Sequence, residues 1–285
     1  MSTYKTALIA DSTCDIPEAL VELYSIYVVP QIVIWGDQEY RDRVTLQPKE
    51  FYERLQTDPI RPTTAMATVN DFEQKYRQTI QDGASEIMVL TVSGAMSGTF
   101  QNAIIAGEKV DVPVQVVDSR GPTMSLGWQV IAAARVREAG GDLAAMVAQT
   151  GEVRRTLAQF VGMDTLDYLQ RGGRIGGAAK WVGSMLQIRP VISINHVTGL
   201  VEPAGMARTH SKMVEMLYGK FFEKMAPGRN MHIAVLHGNA PDEAAKLAER
   251  IQREYSPSEL LINITGPVLG INTGPNALAL CGYLE

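Results

Sequence analysis

The 285-residue sequence predicts an α/β protein in two parts: a mostly parallel sheet flanked by helices over residues 1–160, and a second α/β domain with a mixed sheet over residues 161–285. Three observations carry this reading. Short β-branched runs alternate with amphipathic segments through the first half, as βαβ units do when they feed a parallel sheet. After Phe160 the texture changes to glycine-broken and hairpin-forming sequence. The length itself suggests about two domains.

In chain order, the first half predicts strands at Thr6 to Ala10, Tyr27 to Ile34, Glu86 to Val92 and Val114 to Val117. Helices are predicted at Pro17 to Leu23, Val69 to Gln81, Gly98 to Lys109, Ser125 to Glu138 and Asp142 to Ala158, several of them entered by a capping Asp, Asn, Ser or Thr. In the second half, DTLDYLQRGGRIGGAAKWVGSML reads as helix interrupted by glycines. QIRPVISINHVTGLVEPAGMART reads as two strands around a His-Val-Thr-Gly turn. A helix near Ser211 to Lys224, the strand MHIAVLHG, a helix from Pro241 to Glu254 and the strand LLINIT follow. The stretch GPVLGINTGPNALAL reads as a tight glycine-proline turn ahead of a last helix.

Lys and Arg total 26 against 31 Asp and Glu, a net charge of -5, so no chain-wide basic surface exists to neutralise a phosphate backbone, and nucleic acid is excluded as an expected partner. No apolar stretch reaches the roughly 20 residues that cross a bilayer, so no stable membrane insertion is expected. The N-terminus runs straight from a short apolar strand into Asp11 and lacks the long apolar region of a secretion signal; together with only two cysteines, Cys14 and Cys281, this points to the cytoplasm. The cysteine pair has no metal-ligand spacing, and a single buried disulfide between them is the lesser alternative.

Polar residues gather after three strands: Asp11, Ser12 and Thr13; Ser93, Ser97, Gly98 and Thr99; Asp118 and Ser119. Ligands of open α/β sheets bind beyond the carboxyl ends of strands, where helix N-H groups point outward and favour an anion. Each such residue alone reads first as a cap or turn former. The segment SGTFQNA is the best single site, because Ser97 offers a hydroxyl and Gly98 lets a ligand oxygen approach closely. GGRIGG lacks the spacing of a dinucleotide or P-loop motif, and no G-x-S-x-G or H-E-x-x-H is present. No catalytic residue, metal ligand or cofactor site is assigned. His196, His210, His232 and His237 read as structural or surface residues. Arg174, among glycines, and Arg208, at a strand end, suit an exposed carboxylate or phosphate contact or a partner surface.

Taken in order, ADSTCDIP, SGTFQNA, VVDSRGPTMSLGW, LDYLQRGGRIGG, GSMLQIRPVISINHVTGLVEPAGMART and GPVLGINTGPNALAL resemble the DegV family of bacterial fatty-acid-binding proteins, whose members include the lipid-carrying B subunits of fatty acid kinase. The resemblance implies a two-domain α/β fold with one long-chain fatty acid in an apolar tunnel and its carboxylate near the domain junction. It implies a carrier rather than a catalyst, without a cofactor, that presents the acyl carboxylate to an ATP-dependent fatty acid kinase subunit. By motif, carboxylate binding falls on Thr64, although Met66 and Ala67 replace the family's Gln and Pro, and on Ser97 with Gly98. It also falls on Asn272 and Thr273, where the family's pattern is His-Thr-Gly-Pro-Gly and this chain reads Asn-Thr-Gly-Pro-Asn. Kinase docking falls on Arg174 and Arg208. The 13 methionines and the 7% aromatic share suit either a flexible channel or ordinary core filling. Two rival readings come from the residues themselves: a hydrolase or phosphoryl-transfer enzyme built on Asp11, Ser12, Asp118 and Ser119, and a regulator that binds a partner through its arginines.

Overall fold

A computed structural model describes residues 4–181, 188–225 and 230–285. In chain order the first half contains β1 (Thr6–Asp11), α1 (Glu18–Leu23), β2 (Ile26–Val29), β3 (Ile32–Trp35), β4 (Gln38–Arg41), α2 (Pro48–Thr57), β5 (Thr63–Ala65), α3 (Val69–Gln81), β6 (Glu86–Thr91), α4 (Thr99–Gly107), β7 (Val114–Asp118), α5 (Met124–Glu138) and α6 (Leu143–Thr156). The remainder contains β8 (Ala158–Gly162), α7 (Asp167–Arg171), β9 (Arg189–Asn195), β10 (Leu200–Ala207), α8 (His210–Met225), β11 (Met231–His237), α9 (Pro241–Tyr255), β12 (Glu259–Ile264), α10 (Pro267–Thr273) and β13 (Leu278–Leu284).

Among the described residues the strands form three sheets. The four-stranded sheet, ordered β2-β1-β6-β7, is parallel throughout, and every residue of its inner strand β1 is buried, as expected of a sheet covered on both faces. The six-stranded sheet, ordered β10-β9-β8-β13-β11-β12, is mixed: only β11 and β12 run parallel. A small antiparallel sheet, β4-β3-β5, joins them.

Local chemistry accounts for most elements. Thr68 and Asp71 form a reciprocal capping box that starts α3. In α9, Ala244, Leu247, Ala248 and Ile251 repeat at helical spacing and form its buried stripe. Helix α5 is buried nearly all round, and one core cluster joins Leu8 and Leu90 on one side, through the helix's own Trp128 and Ile131, to Ile192, Leu236 and Cys281 on the other. It therefore lies between the parallel and the mixed sheet.

Several expectations are corrected. The single strand Tyr27 to Ile34 is two strands in different sheets, broken at Pro30, which has no N-H for a ladder. The sequence Gln38 to Ala65 supplies β4, α2 and β5, none of which its patterning announced. Helix α6 stops at Thr156, and Ala158 opens β8, which runs across position 160 into the mixed sheet. The terminal glycine-proline stretch does not precede a last helix: Pro267–Thr273 is itself helical, and the chain ends in strand β13, held between β8 and β11. Among the described residues of the glycine-broken segment, α7 and a short 3-10 helix at Gly176–Trp181 form; residues 182–186 of the expected helix and residue 187 of the expected strand segment lie outside the described residues. The cysteines follow the leading expectation: Cys14 and Cys281 are both buried free thiols, and the alternative disulfide does not form.

Candidate functional site

A cavity of about 520 Å³ opens where the carboxyl ends of β1 and β6, strand β5, helix α10 and the face of β8, β9 and β10 meet. Val161, Ile192, Ile194 and Val201 supply one apolar wall and Val268 and Leu269 another. Thr64, Ser97, Gly98, Asn272, Thr273 and Arg174 all line it, so four segments far apart in sequence converge on one space. Arg208 does not: it lies in the exposed bend after β10.

Each polar side chain has an identifiable anchor. Thr64 sits on β5 opposite Val33. The Ser97 hydroxyl lies 2.9 Å from the Thr99 hydroxyl and accepts from the Thr99 N-H at 3.3 Å, just ahead of α4. Thr99 in turn accepts from the Gln31 side-chain N-H at 3.0 Å, and the Gln31 side-chain oxygen Oε1 accepts from the Ala67 N-H at 2.8 Å. A Cβ on Gly98 would stand 2.6 Å from the Met66 sulfur, so glycine at this position lets Met66 lie across the start of α4. In the last turn of α10, the Asn272 amide donates to the Val268 carbonyl at 2.9 Å and the Thr273 hydroxyl to the Leu269 carbonyl at 3.2 Å. Asn272 retains a second N-H, and its Oδ1 is buried without a hydrogen-bond partner. The side chain rests against Gly172, where a Cβ would fall 2.0 Å from that oxygen. Arg174 donates to the Met96 carbonyl at 3.2 Å, which ties the glycine-rich segment to the loop before α4, and its guanidinium remains exposed. Hydroxyls, amides and one permanent cation around an apolar space can hold an anionic head with an apolar tail; no general base faces a nucleophile here.

Behind this surface lies a buried acidic cluster. Asp11 accepts from the N-H and hydroxyl of Thr13 and from the Val92 N-H at 2.6 Å, binding the ends of β1 and β6 together. Asp42 accepts from the Ser12 hydroxyl at 2.6 Å and from the Val268 N-H at 3.4 Å, and Asp15 accepts from the Gly266 N-H at 2.9 Å and pairs with Arg43 at 2.6 Å. The N-terminus of α10 is thereby fastened to the end of β1. Burial pushes the Asp42 carboxyl up to about 7 despite the neighbouring Arg43, and it pushes Asp11 and Asp15 upward as well.

The residues of the rival enzymatic reading stand apart from the cavity. Asp11, Ser12, Asp118 and Ser119 are absent from the cavity lining, and their polar atoms serve the fold: Ser119 donates to the Gly121 carbonyl at 2.8 Å, and Asp118 accepts from the Arg120 N-H at 2.9 Å. Among the described residues, no group of three or more His, Cys, Asp or Glu is placed to hold a metal ion, and no helix is long and apolar enough to cross a membrane. His196 stands 2.8 Å from the buried Ser125 hydroxyl, with burial lowering its pKa to about 4.

Sequence reasoning missed Gln31, Asn102, Thr123 and Gln159, all of which line the cavity. A polar residue after Pro30 inside an apolar run was the one available signal for Gln31. Thr123 carries φ 55° and ψ −140°, a strained conformation for a β-branched residue, and accepts from the Gln159 amide at 2.9 Å. Nothing local in its sequence announces this.

Comparison with known proteins bears on the same architecture. The family model described as "Uncharacterised protein, DegV family" matches residues 5–285. A DegV domain-containing protein of Streptomyces coelicolor is 34% identical over 276 residues, covering 96% of each chain, and Protein DegV of Bacillus subtilis is 28% identical over 277 residues, covering 96% of this chain and 98% of that one. Among solved structures, a fatty-acid-binding DegV family protein of Thermus thermophilus superposes with a TM-score of 0.91 at 31% identity, over 99% of this chain and 100% of that one. DegV of Bacillus subtilis, a fatty acid binding protein, gives 0.90 at 27% identity with the same coverage. In sequence along almost its full length and in the arrangement of its sheets, this chain belongs to the DegV family.

Proposed function

We propose that this protein binds a long-chain fatty acid, with its tail against the walls of β8, β9, β10 and α10 and its carboxylate among Thr64, Ser97, Asn272 and Thr273. The observation that carries this reading is the convergence of those four residues on one largely apolar cavity of about 520 Å³, within the range of about 300–1,000 Å³ usual for small-molecule sites. The fatty-acid-binding relatives in Thermus thermophilus and Bacillus subtilis support it. Each buried methylene contributes about 0.8 kcal/mol, so ten of them contribute about 8 kcal/mol, the scale of micromolar binding before ordering costs. The tail supplies affinity and the polar end supplies orientation. The reading needs no cofactor and gives the protein the role of a carrier. We further propose that it presents the carboxylate to an ATP-dependent fatty acid kinase subunit, with Arg174 and Arg208 on the docking face.

Organic extraction of the purified protein followed by mass spectrometry tests the binding: one long-chain fatty acid per chain is expected, and an empty protein or a polar ligand contradicts it. Incubating the loaded protein with a fatty acid kinase catalytic subunit and ATP, then trapping acyl phosphate with hydroxylamine, tests the presentation. Loss of hydroxamate per mole of bound lipid in the Arg174→Ala/Arg208→Ala variant is the expected result.

A further inference from the structure

The wall assigned to the acyl tail is not wholly apolar. Thr123, at the start of α5, and Gln159, on β8, both line the cavity, and both are more than nine-tenths buried, at 6% and 1% exposure. Alternate residues of a strand share a face, so Gln159 stands on the same wall as Val161, in company with Ile192 and Ile194. Hydrogen bonds fix the pair in place. Ser125 donates to the Gln159 Oε1 and lies 2.8 Å from His196 Nε2, and the Gln159 Nε2 donates to the Thr123 hydroxyl at 2.9 Å. This engages the Gln159 oxygen and one of its two N-H groups. The second N-H and the Thr123 O-H have no acceptor among the described residues. The residues assigned to the carboxylate lie on β5, ahead of α4 and on α10, and no hydrogen bond among the described residues joins them to this pair.

A buried donor left without an acceptor costs more than an ordinary hydrogen bond returns. A plain hydrocarbon tail lying over Thr123 and Gln159 displaces water from them and supplies no acceptor in exchange. An oxygen on the chain does supply one, because a carbonyl or hydroxyl oxygen carries two lone pairs and two donors wait for it. Resting on the reading that the cavity takes an acyl chain, we propose that Thr123 and Gln159 form a second polar subsite, which receives an oxygen carried on the chain away from the carboxylate. The ligand class is then a hydroxy or oxo fatty acid. A site built to hydrogen-bond a group also rejects the analogue that lacks it, so the same two side chains set the preference over unsubstituted chains.

Titration of delipidated protein with palmitic acid, and with palmitic acids bearing one hydroxyl or one oxo group moved carbon by carbon from mid-chain to the terminal carbon, tests this. At least one substituted acid should bind wild type about fivefold or more tightly than palmitate. The series that contains it identifies the group, hydroxyl or oxo. In Thr123→Val/Gln159→Leu that acid should weaken and palmitate tighten, so that the margin falls below about twofold. A variant damaged in its fold weakens both ligands together and leaves their ratio in place. Thr123→Val, which keeps the shape of the side chain, is therefore measured beside it, and a ratio undiminished in both variants overturns the inference. If palmitate binds and no substituted acid reaches the fivefold margin, as where bound water satisfies both donors, the subsite is refuted and the fatty-acid reading stands. If neither palmitate nor any substituted acid binds, both fall.

Discussion

Asn272 concentrates the chemistry of the polar end. One of its N-H groups is committed to the Val268 carbonyl, and its buried oxygen has no partner, so only one N-H can turn to a carboxylate. It carries no titrating proton. Asn272→His is expected to strengthen fatty acid binding mainly below about pH 6.5, where imidazole gains charge; titrations of both proteins from pH 5 to 8 check this, and identical profiles contradict it. Ser97→Ala removes a hydroxyl whose present partner is the neighbouring Thr99, not a distant structural group. We expect affinity to fall by about 1.5–3 kcal/mol, the usual worth of a hydrogen bond to a charged group, with little change in melting temperature. Ser97 was legible in the sequence because Gly98 follows it at the start of a helix, whereas Asn272 was reached through the resemblance to the family pattern. Gln31 and Thr123 were not legible, since one reaches the cavity only through the break at Pro30 and the other through a strained backbone that tertiary packing imposes.

Helix α10 is the element on which this arrangement depends: its first turn is bonded to Asp15 and Asp42, and its last turn carries Asn272 and Thr273. The unfolded chain releases the Asp42 proton near pH 4, the folded chain near pH 7. Between those values the folded state holds more protons, so stability declines as pH rises through the window, and Asp11 and Asp15 act in the same direction. Calorimetry at pH 5 and pH 8 should show that the change in melting temperature from pH 5 to pH 8 is more favourable in Asp42→Asn than in wild type, where His196 and His237 act in the opposite direction to Asp42; an equal change in the two would refute the assignment. The sequence of this region misled at the level of elements. An apolar run such as LALCGYL fits a buried helix or a buried strand equally by periodicity, and only its place between β8 and β11 decides for the strand. The parallel-sheet strands and amphipathic helices of the first half were legible because their pattern and their caps agree.

Across the whole molecule, α5 binds the parallel and the mixed sheet into one core. Trp128 is fully buried within it, donates to the Cys281 carbonyl at 3.2 Å and stacks edge-on against Tyr283. Trp128→Ala is expected to cost about 3–5 kcal/mol and to lower the stability of both sheets together in a single calorimetric transition; two separated transitions would contradict a shared core. The division into residues 1–160 and 161–285 is then a proposal about architecture rather than about independent folding. The ligand space exists only when both sheets are present, because Thr64 and Ser97 come from one half, and Ile192, Asn272 and Thr273 from the other. The crystal structure of the protein loaded with palmitic acid tests this account most directly. It should show the acyl chain against Ile192, Ile194 and Val268, with the carboxylate within hydrogen-bond reach of Ser97 and Thr64; a chain lodged elsewhere, or a carboxylate turned away from both hydroxyls, would contradict it.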